Sequence, residues 1–426
     1  MKVSKRAILL ILQSFFIPWV GVLGLRYSGI VIYDEINGLT FLLLGLFALP
    51  FFISAGFFLS RKFVYSKAYS GEEYEGNPYC TGRVFRSVVV LTFFYFVAIL
   101  ADKIFLTNVL SQGITEARYA AMAEGPRNSL LGAMHYFLAG APVLLACLLL
   151  SRRSSRSCAN VLLWLLVVAC FGSFFLSGGR NSFVVGGVFV FFYFVLEKTK
   201  FRLHGGVGFR RFRLPLWLKL LSVVGLCYVM YLFVERAQIR GMDLEGAVGA
   251  LGENYGVKIF VPDVLPDALL QIYYCLVFVV FYVTHSLSYL SAYFDANYYP
   301  LTMGGYTFSI VFRVFDTLFG GNYVLDAFGQ MLVTGVYLTL PGSIFIDFGF
   351  AGVFLVGVGL AWVSIWCVTC ALWLGNGNYM MLASLCLTII ALSPVFSALS
   401  VGNGFSIMIL LVFLHALGRR KSTTKQ

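Results

Sequence analysis

Long apolar stretches alternate with short polar segments along almost the whole chain. A transmembrane helix needs about 20 mainly apolar residues, and eleven stretches come close to or exceed that length. They lie at residues 7–25, 38–60, 84–101, 128–150, 158–177, 181–197, 215–234, 269–293, 349–374, 378–398 and 403–418. The pattern predicts an all-α polytopic integral membrane protein with about 11–12 transmembrane helices, forming a single membrane domain over residues 1–426.

The composition agrees with this fold class. Of 426 residues, 60% are hydrophobic and 12% charged, whereas soluble domains carry about 25% charged residues. A Walker loop, an HExxH motif and a GxSxG motif in a strand-turn-helix setting are all absent, which argues against an ATPase, a zinc protease or a serine hydrolase. Cys367 and Cys370 form a CxxC in the middle of a span, and we interpret them as small buried apolar residues. The sequence therefore predicts neither a metal nor a cofactor.

The net charge of +12 is divided unevenly between the two sides of the predicted membrane. With the N-terminus inside, the cytoplasmic segments hold 22 of the 31 basic residues and four of the 19 acidic ones, which leaves about +18 inside and about −6 outside. This is the positive-inside pattern. It predicts a membrane protein with both termini in the cytoplasm and a basic cytoplasmic loop at 198–219, and it removes nucleic acid as a partner.

Two cytoplasmic termini require an even number of crossings, but the apolar stretches number eleven. The difficulty lies at 269–293, because the regions on both sides of it have the character of external segments. Either 269–293 is re-entrant or interfacial, or it crosses and a second pass lies within 301–336. We prefer the second solution, with larger external loops at 235–268 and 294–348, and expect a site in this region because irregular backbone at membrane depth lines cavities or protein interiors.

Arg180 follows Gly178 and Gly179 in an external turn that opens a descending helix. The amides of a helix N-terminus together with a guanidinium form a site suited to phosphate or diphosphate. The alternative is an arginine that reaches lipid headgroups.

Arg236 and Arg240 are four residues apart, so on a helix they share one face and are suited to gripping a diphosphate. Glu235 is adjacent and able to neutralise one of them; the alternative is an interfacial anchor. Arg313 is a weaker candidate for the diphosphate, since Asp316 at i+3 can satisfy it.

His285 and Asp347 are candidates for proton transfer, with Glu235 a third. Histidine exchanges protons most readily near neutral pH, although a lone histidine among aromatic residues is more often a hydrogen-bonded core residue. Asp347 enters a late span just after Pro341 and Gly342. A carboxylate at a helix N-terminus is electrostatically favoured, so capping alone is an alternative explanation for it.

The segment around Asp347 resembles the signature of bacterial oligosaccharide repeat-unit polymerases, the O-antigen and capsule polymerases. The residues that carry the resemblance are Tyr337, Thr339, Pro341, Gly342, Asp347, Phe348, Gly349 and Gly352. Leu338 separates Tyr337 from Thr339, which departs from the family's usual tyrosine-threonine pair. The glycine-rich turn before Arg180 is similar to a Gly-Ser-Arg turn in these proteins, with Gly179 where serine is common.

The resemblance implies a membrane glycosyltransferase that joins repeat units carried on undecaprenyl diphosphate at the outer face of the inner membrane. It also implies a flippase and a chain-length regulator of the same pathway as partners, beside the bilayer itself. Arg180, Arg236 and Arg240 would stabilise the departing diphosphate, since stabilising developing charge is usually the largest catalytic contribution.

Three further interpretations stay open at this level. External tyrosines such as Tyr298, Tyr299, Tyr306 and Tyr323 would stack on sugar rings or form an interfacial aromatic belt. The runner-up function is a flippase or exporter of lipid-linked oligosaccharide, which would place charges in a deep cavity reachable from both faces. A structural scaffold is the third class, and it predicts that single arginine changes leave activity intact.

Overall fold

The structure, a computed structural model, describes residues 2–60, 82–102, 137–151, 158–176, 180–203, 242–262, 265–332, 337–374, 377–400 and 402–419. This part of the chain is 82% helical, and its strands are two pieces of two residues each. The predicted all-α fold class is confirmed.

The described elements follow in chain order, with the strands placed between the helices. The helices are α1 (Lys2–Arg26), α2 (Gly38–Ser60), α3 (Arg83–Ala101), α4 (Ala141–Ser151), α5 (Cys158–Leu176), α6 (Arg180–Leu203), α7 (Leu244–Tyr255), α8 (Asp267–Asp295), α9 (Ser309–Phe319), α10 (Tyr323–Gly329), α11 (Leu340–Leu374), α12 (Gly377–Leu392) and α13 (Gly402–Arg419). The strands are β1 (Val31–Ile32) and β2 (Lys258–Ile259), which pair antiparallel.

Six of the described helices are long and apolar enough to cross a membrane: α1, α2, α3, α6, α8 and α11. Four shorter apolar helices lie in α4, α5, α12 and α13. Ten of the eleven predicted stretches coincide with these helices in whole or in part, and the eleventh, 215–234, lies outside the described residues. The chain is a multi-pass membrane protein.

Helices α2 and α11 run parallel, which fixes one end of the bundle. A Cβ on Gly357 of α11 would lie 3.1 Å from the carbonyl oxygen of Phe47, and further along both helices Trp362 lies 5.2 Å from Phe58 between ring centroids. The kink of α11 at Gly349 therefore lies at the end where α2 begins. We call this the loop end, because residues 27–37 connect α1 to α2 there.

Helix α8 and the strands also belong to the loop end. The backbone N–H of Asn37 donates to Ser291 Oγ at 2.8 Å, and its side-chain amide donates to Asp295 Oδ1 at 2.7 Å. Strand β1, in the 27–37 loop, pairs with β2, which follows α7. Parts of both predicted external loops, 235–268 and 294–348, thus pack at the same end of the bundle.

The chain between α12 and α13 is mostly buried and partly non-helical. Its contacts place the start of α6 at the loop end. The predicted span 378–398 ends as a helix at Leu392, because Pro394 restricts the residue before it and lacks an N–H. Ser393 receives hydrogen bonds from Trp19 Nε1 at 3.0 Å and from the backbone N–H of Leu340 at 2.8 Å. Beyond this segment, Asn403 Nδ2 donates to the carbonyl oxygen of Ser182 at 2.9 Å, beside the start of α6.

The region 301–336 differs from the preferred prediction of a second pass. It holds α9 with 11 residues and α10 with seven, separated at Gly320, which adopts a positive φ of 71°. At 1.5 Å per residue, α9 is about 16 Å long, roughly half the thickness of a hydrocarbon core. The predicted second pass is therefore wrong for the described part, residues 301–332. The apolar pattern there belongs to short helices at the loop end.

Candidate functional site

Asp347 is fully buried and anchors the 302–307 turn to α11. Its side chain is 0% exposed, and three donors meet its carboxylate: Thr302 Oγ1 at 2.5 Å, the backbone N–H of Tyr306 at 3.0 Å and the backbone N–H of Thr307 at 2.8 Å. The Met303 N–H also donates to the Asp347 carbonyl at 3.1 Å. Hydrogen bonds to a carboxylate are about twice as strong as neutral ones, so this arrangement fixes residues 302–307 on the helix.

The glycines after Asp347 form a joint in α11. Gly349 has φ 67° and ψ −166°, a conformation that splits the helix into two parts. A Cβ on Gly352 would lie 2.2 Å from the Cβ of Phe348, so the joint has no room for a side chain there. Before the joint, Thr339 Oγ1 accepts a hydrogen bond from the Gly342 N–H at 3.0 Å, which caps the first part of the helix.

The segment that resembles the polymerase signature is therefore a structural unit. Thr339 caps the helix, Asp347 holds the 302–307 turn, and Gly349 and Gly352 permit the change of direction. In this arrangement a sugar hydroxyl has no access to the Asp347 carboxylate. Its role as a general base stays a prediction, and it requires the 302–307 turn to move.

His285 lies in α8 within an aromatic cluster. Its side chain is 2% exposed, and Nδ1 lies 2.8 Å from the carbonyl oxygen of Phe281. Because a carbonyl oxygen only accepts, Nδ1 carries the proton and the lone pair is on Nε2. The imidazole stacks on Phe281 at 5.1 Å and meets Tyr289 edge-on at 5.4 Å between ring centroids. The Tyr289 hydroxyl is buried without a hydrogen-bond partner in the described part of the chain.

Arg26, the last residue of α1, is a buried guanidinium that the sequence analysis missed. It is 6% exposed, and it donates to Ser288 Oγ and, at 2.7 Å, to the carbonyl oxygen of Asp34. Its Cζ also lies 4.6 Å above the ring of Tyr33, within the range of a cation–π contact. The sequence signal was present, since Arg26 directly follows the apolar stretch 7–25.

Tyr33 joins Arg26 to the His285 cluster. The hydroxyl of Thr284 donates to the carbonyl oxygen of Val280 at 2.7 Å, so the Tyr33 hydroxyl is the donor in its own 2.6 Å bond to Thr284 Oγ1. The Tyr33 ring stacks on Phe281. Burial raises the pKa of the Tyr33 phenol to about 12. These contacts place Arg26 and His285 in one polar and aromatic cluster beneath the 27–37 loop.

Of the remaining predicted site residues, the structure describes the backbone of two and nothing of the other three. Arg180 opens α6 at the loop end and Arg313 lies in α9, but both side chains lie outside the described part. Glu235, Arg236 and Arg240 also lie outside the described residues. The structure thus brings the α6 start, His285 and Asp347 to the same end of the bundle.

Asp316 has two partners in the described part of the chain that the i, i+3 spacing did not suggest. Its carboxylate accepts the backbone N–H groups of Tyr323 at 3.0 Å and Val324 at 2.9 Å, at the N-terminus of α10. A carboxylate at that position satisfies amides that lack helical partners. Asp316 therefore sets the angle between α9 and α10.

The four tyrosines predicted to be external divide into one buried and three exposed residues. Tyr306 is 7% exposed, and burial raises the pKa of its phenol well above the usual range. Tyr298, Tyr299 and Tyr323 are 38%, 44% and 39% exposed, so these three rings offer accessible surface at the loop end. Tyr323 also donates its hydroxyl proton to the carbonyl oxygen of Thr302 at 2.9 Å.

Within the described residues, no group of three or more His, Cys, Asp or Glu side chains is placed to hold a metal ion. No family model, curated protein or solved structure matches the chain. The resemblance to repeat-unit polymerases therefore rests on the residues quoted above.

Proposed function

We propose that the protein polymerises oligosaccharide repeat units carried on undecaprenyl diphosphate into O-antigen, capsule or exopolysaccharide. One observation carries the proposal: the residues that resemble the polymerase signature form the joint that holds the 302–307 turn by Asp347, at the bundle end where α6 opens with Arg180. A binding site needs a rigid support, and a joint built from Thr339, Asp347, Gly349 and Gly352 at the same end of the bundle as Arg180 would supply one.

The proposed reaction transfers the growing chain between two lipid carriers. The hydroxyl oxygen of the incoming unit attacks the anomeric carbon of the growing chain. The bond from that carbon to the diphosphate oxygen breaks, the diphosphate leaves with the electron pair, and a base takes the hydroxyl proton. No nucleotide sugar enters this step.

Arginines are proposed to stabilise the departing diphosphate, because fixed donors aimed at developing charge contribute most to such reactions. Arg180 is supported by its place at a helix N-terminus, and Arg236 and Arg240 by their spacing in the sequence. Arg313 lies in α9 at the same end.

His285 and Glu235 are the proposed bases, with His285 supported by the lone pair on Nε2. Asp347 fits a positioning role better, because its carboxylate is fully buried and receives three donors.

The loop end is proposed to face away from the cytoplasm of a bacterial inner membrane. Lys198, Lys200 and Arg202 lie near the C-terminal end of α6, opposite Arg180, which agrees with the uneven distribution of basic residues. A reporter fused after Tyr323 should read as external and one after Arg211 as cytoplasmic.

Purified protein in vesicles tests the proposal directly. It is incubated with a synthetic undecaprenyl-diphosphate-linked repeat unit and no other enzyme, and the products are separated by chain length. We expect longer lipid-linked products together with free undecaprenyl diphosphate. Movement of the substrate between leaflets without longer products would overturn the polymerase in favour of the flippase.

A further inference from the structure

Helix α9 leaves its apolar side uncovered by the rest of the described chain. Ile310, Val311 and Phe312 are only half-buried, and Phe315 and Phe319 are 52% and 77% exposed. An amphipathic helix at the surface of a globular protein normally packs its apolar stripe against the core. The apolar stripe of α9 therefore has no cover within the described part of the chain.

The uncovered surface extends beyond α9. Four more large apolar side chains are exposed on the flanking segments: Leu301, Met303, Leu325 and Leu332. We call these side chains, together with Phe315 and Phe319, the apolar ledge. Six large exposed apolar side chains within residues 301–332 are more than the scattered single ones that are ordinary on a protein surface, and such a density is typical of a protein or membrane contact.

The ledge is held rigidly to the bundle. Asp316 caps α10 and so fixes its angle to α9, and Phe312 packs on Tyr323 with ring centroids 4.6 Å apart. Tyr323 in turn donates to the Thr302 carbonyl, and the Thr302 hydroxyl donates to Asp347 on α11. The exposed phenylalanines thus belong to a fixed surface.

The ledge adjoins an exposed apolar stripe on a spanning helix. Helix α11 is long and apolar enough to span a membrane, and after the joint at Gly349 three of its exposed apolar residues repeat at helical spacing: Leu355, Trp362 and Trp366. At the joint itself, a Cβ on Gly349 would lie 3.7 Å from Cδ2 of Leu301, a residue of the ledge. The ledge therefore reaches α11 at Gly349, where the part of the helix that carries the stripe begins.

We propose that α9 is an interfacial helix, with Phe315 and Phe319 inserted at the boundary between headgroups and acyl chains of the leaflet at the loop end. The partner is the lipid bilayer. Continuity with the exposed stripe of a spanning helix favours lipid over a soluble partner, because the bilayer already covers the adjoining surface. The inference does not depend on the proposed activity.

Insertion of α9 into lipid also sets the depth of the Asp347 joint in the membrane. The ledge is attached to the 302–307 turn, and the turn is attached to Asp347. An α9 embedded in the interface holds that turn at headgroup depth, on the same side of the membrane as the start of α6.

Photocrosslinking of the full-length protein tests the lipid contact. p-Benzoylphenylalanine replaces Phe315 or Phe319; it keeps the phenyl ring and adds a benzoyl group, for which these exposed positions leave room. The protein is reconstituted into vesicles of phosphatidylethanolamine and phosphatidylglycerol. Leu355, which is 67% exposed on α11, is the positive control, and the exposed Glu253 on α7 is the comparison site. After irradiation, mass spectrometry measures lipid adducts.

We expect adducts at 315 and 319 in yields close to that at 355 and well above that at 253. Adducts at 355 without adducts at 315 and 319 overturn the proposal. A crosslink between two protein copies at 315 or 319 also overturns it and assigns the ledge to a second copy. Each variant is compared with wild type by size-exclusion profile before irradiation, so that a misfolded variant is replaced by the same probe at Leu325 or Met303.

Discussion

The hydroxyl of Thr302 donates a 2.5 Å hydrogen bond to the carboxylate of Asp347, across 45 residues of chain. This contact joins the turn before α9 to the joint in α11, and two backbone amides of the same turn complete the coordination of the carboxylate. The aspartate of the signature segment therefore holds the 302–307 turn on α11. Mutation of its partner Thr302 tests this role directly.

Thr302→Val is expected to destabilise the protein, and Thr307→Val is its matched control. Both threonines are buried in the same turn, but the Thr307 hydroxyl has no partner in the described part of the chain. Loss of the hydrogen bond to a charged group should cost about 2 kcal/mol at Thr302, whereas the change at Thr307 should stay within about 0.5 kcal/mol. Reversible unfolding in SDS measures both, and equal effects would contradict the assignment.

Asp347→Asn separates a positioning role from a catalytic one. Asparagine keeps one acceptor oxygen for Thr302 and Tyr306, but the amide nitrogen that replaces the other oxygen cannot accept from the Thr307 N–H. We therefore expect a loss of about 2–4 kcal/mol in the free energy of unfolding. Asp326→Asn, at an exposed position on α10, should change little. Chain lengthening is measured alongside, and an unchanged stability with abolished lengthening would assign Asp347 to the chemistry instead.

Gly349→Ala is expected to strain the joint in α11. A Cβ there would meet nothing closer than 3.7 Å, so the cost arises from the positive φ and should be about 1–3 kcal/mol. Gly359→Ala, ten residues along the same helix, has open space and helical backbone. It should be neutral or stabilise by up to about 1 kcal/mol. Thermal unfolding in detergent compares the two, and a neutral Gly349→Ala would show that the joint tolerates an ordinary residue.

The phenol of Tyr33 is expected to stay protonated to high pH, because burial raises its pKa to about 12. Because the unfolded chain releases this proton near pH 10 and the folded protein only near pH 12, the free energy of unfolding should be unaffected below pH 10 and should fall by about 3 kcal/mol as the pH rises from about 10 to about 12.

Absorbance at 295 nm, taken as wild type minus Tyr33→Phe, should show a transition near pH 12 in the folded protein. The same difference in the denatured protein is the control and should titrate near pH 10. A folded-state transition near pH 10 would mean that the Tyr33 phenol is solvated.

Arg180→Ala is expected to abolish chain lengthening, with a loss of at least about 100-fold in rate if its guanidinium stabilises the departing diphosphate. Arg202→Ala is the matched control, because Arg202 lies in the last turn of the same helix at the opposite end. Arg240→Ala should behave as Arg180→Ala does. Surface glycan separated as a ladder on a gel reports all three at equal protein level, and normal ladders for Arg180→Ala and Arg240→Ala would remove the arginines from the proposal.

The limits of prediction from sequence are clearest in 269–336. Apolar content alone suggested two crossings, but α8 is a single long helix whereas α9 and α10 are short and separated at Gly320. A run of apolar residues has the same composition whether its helix crosses the hydrocarbon core or lies along the membrane surface. Helix length decides between the two, and here glycines and the Asp316 cap set that length.

The sequence by itself determined the class of protein and the position of most helices, because a run of apolar residues that can bury its backbone polar groups in lipid has to be helical whatever surrounds it. The distribution of lysine and arginine likewise needs no tertiary information. Tertiary structure decided which side chains meet. Arg26 donates a hydrogen bond to Ser288, which is 262 residues away in the chain, and Asp347 accepts one from Thr302, which is 45 residues away. Such partners depend on how helices pack, and a local pattern of residues does not encode that packing.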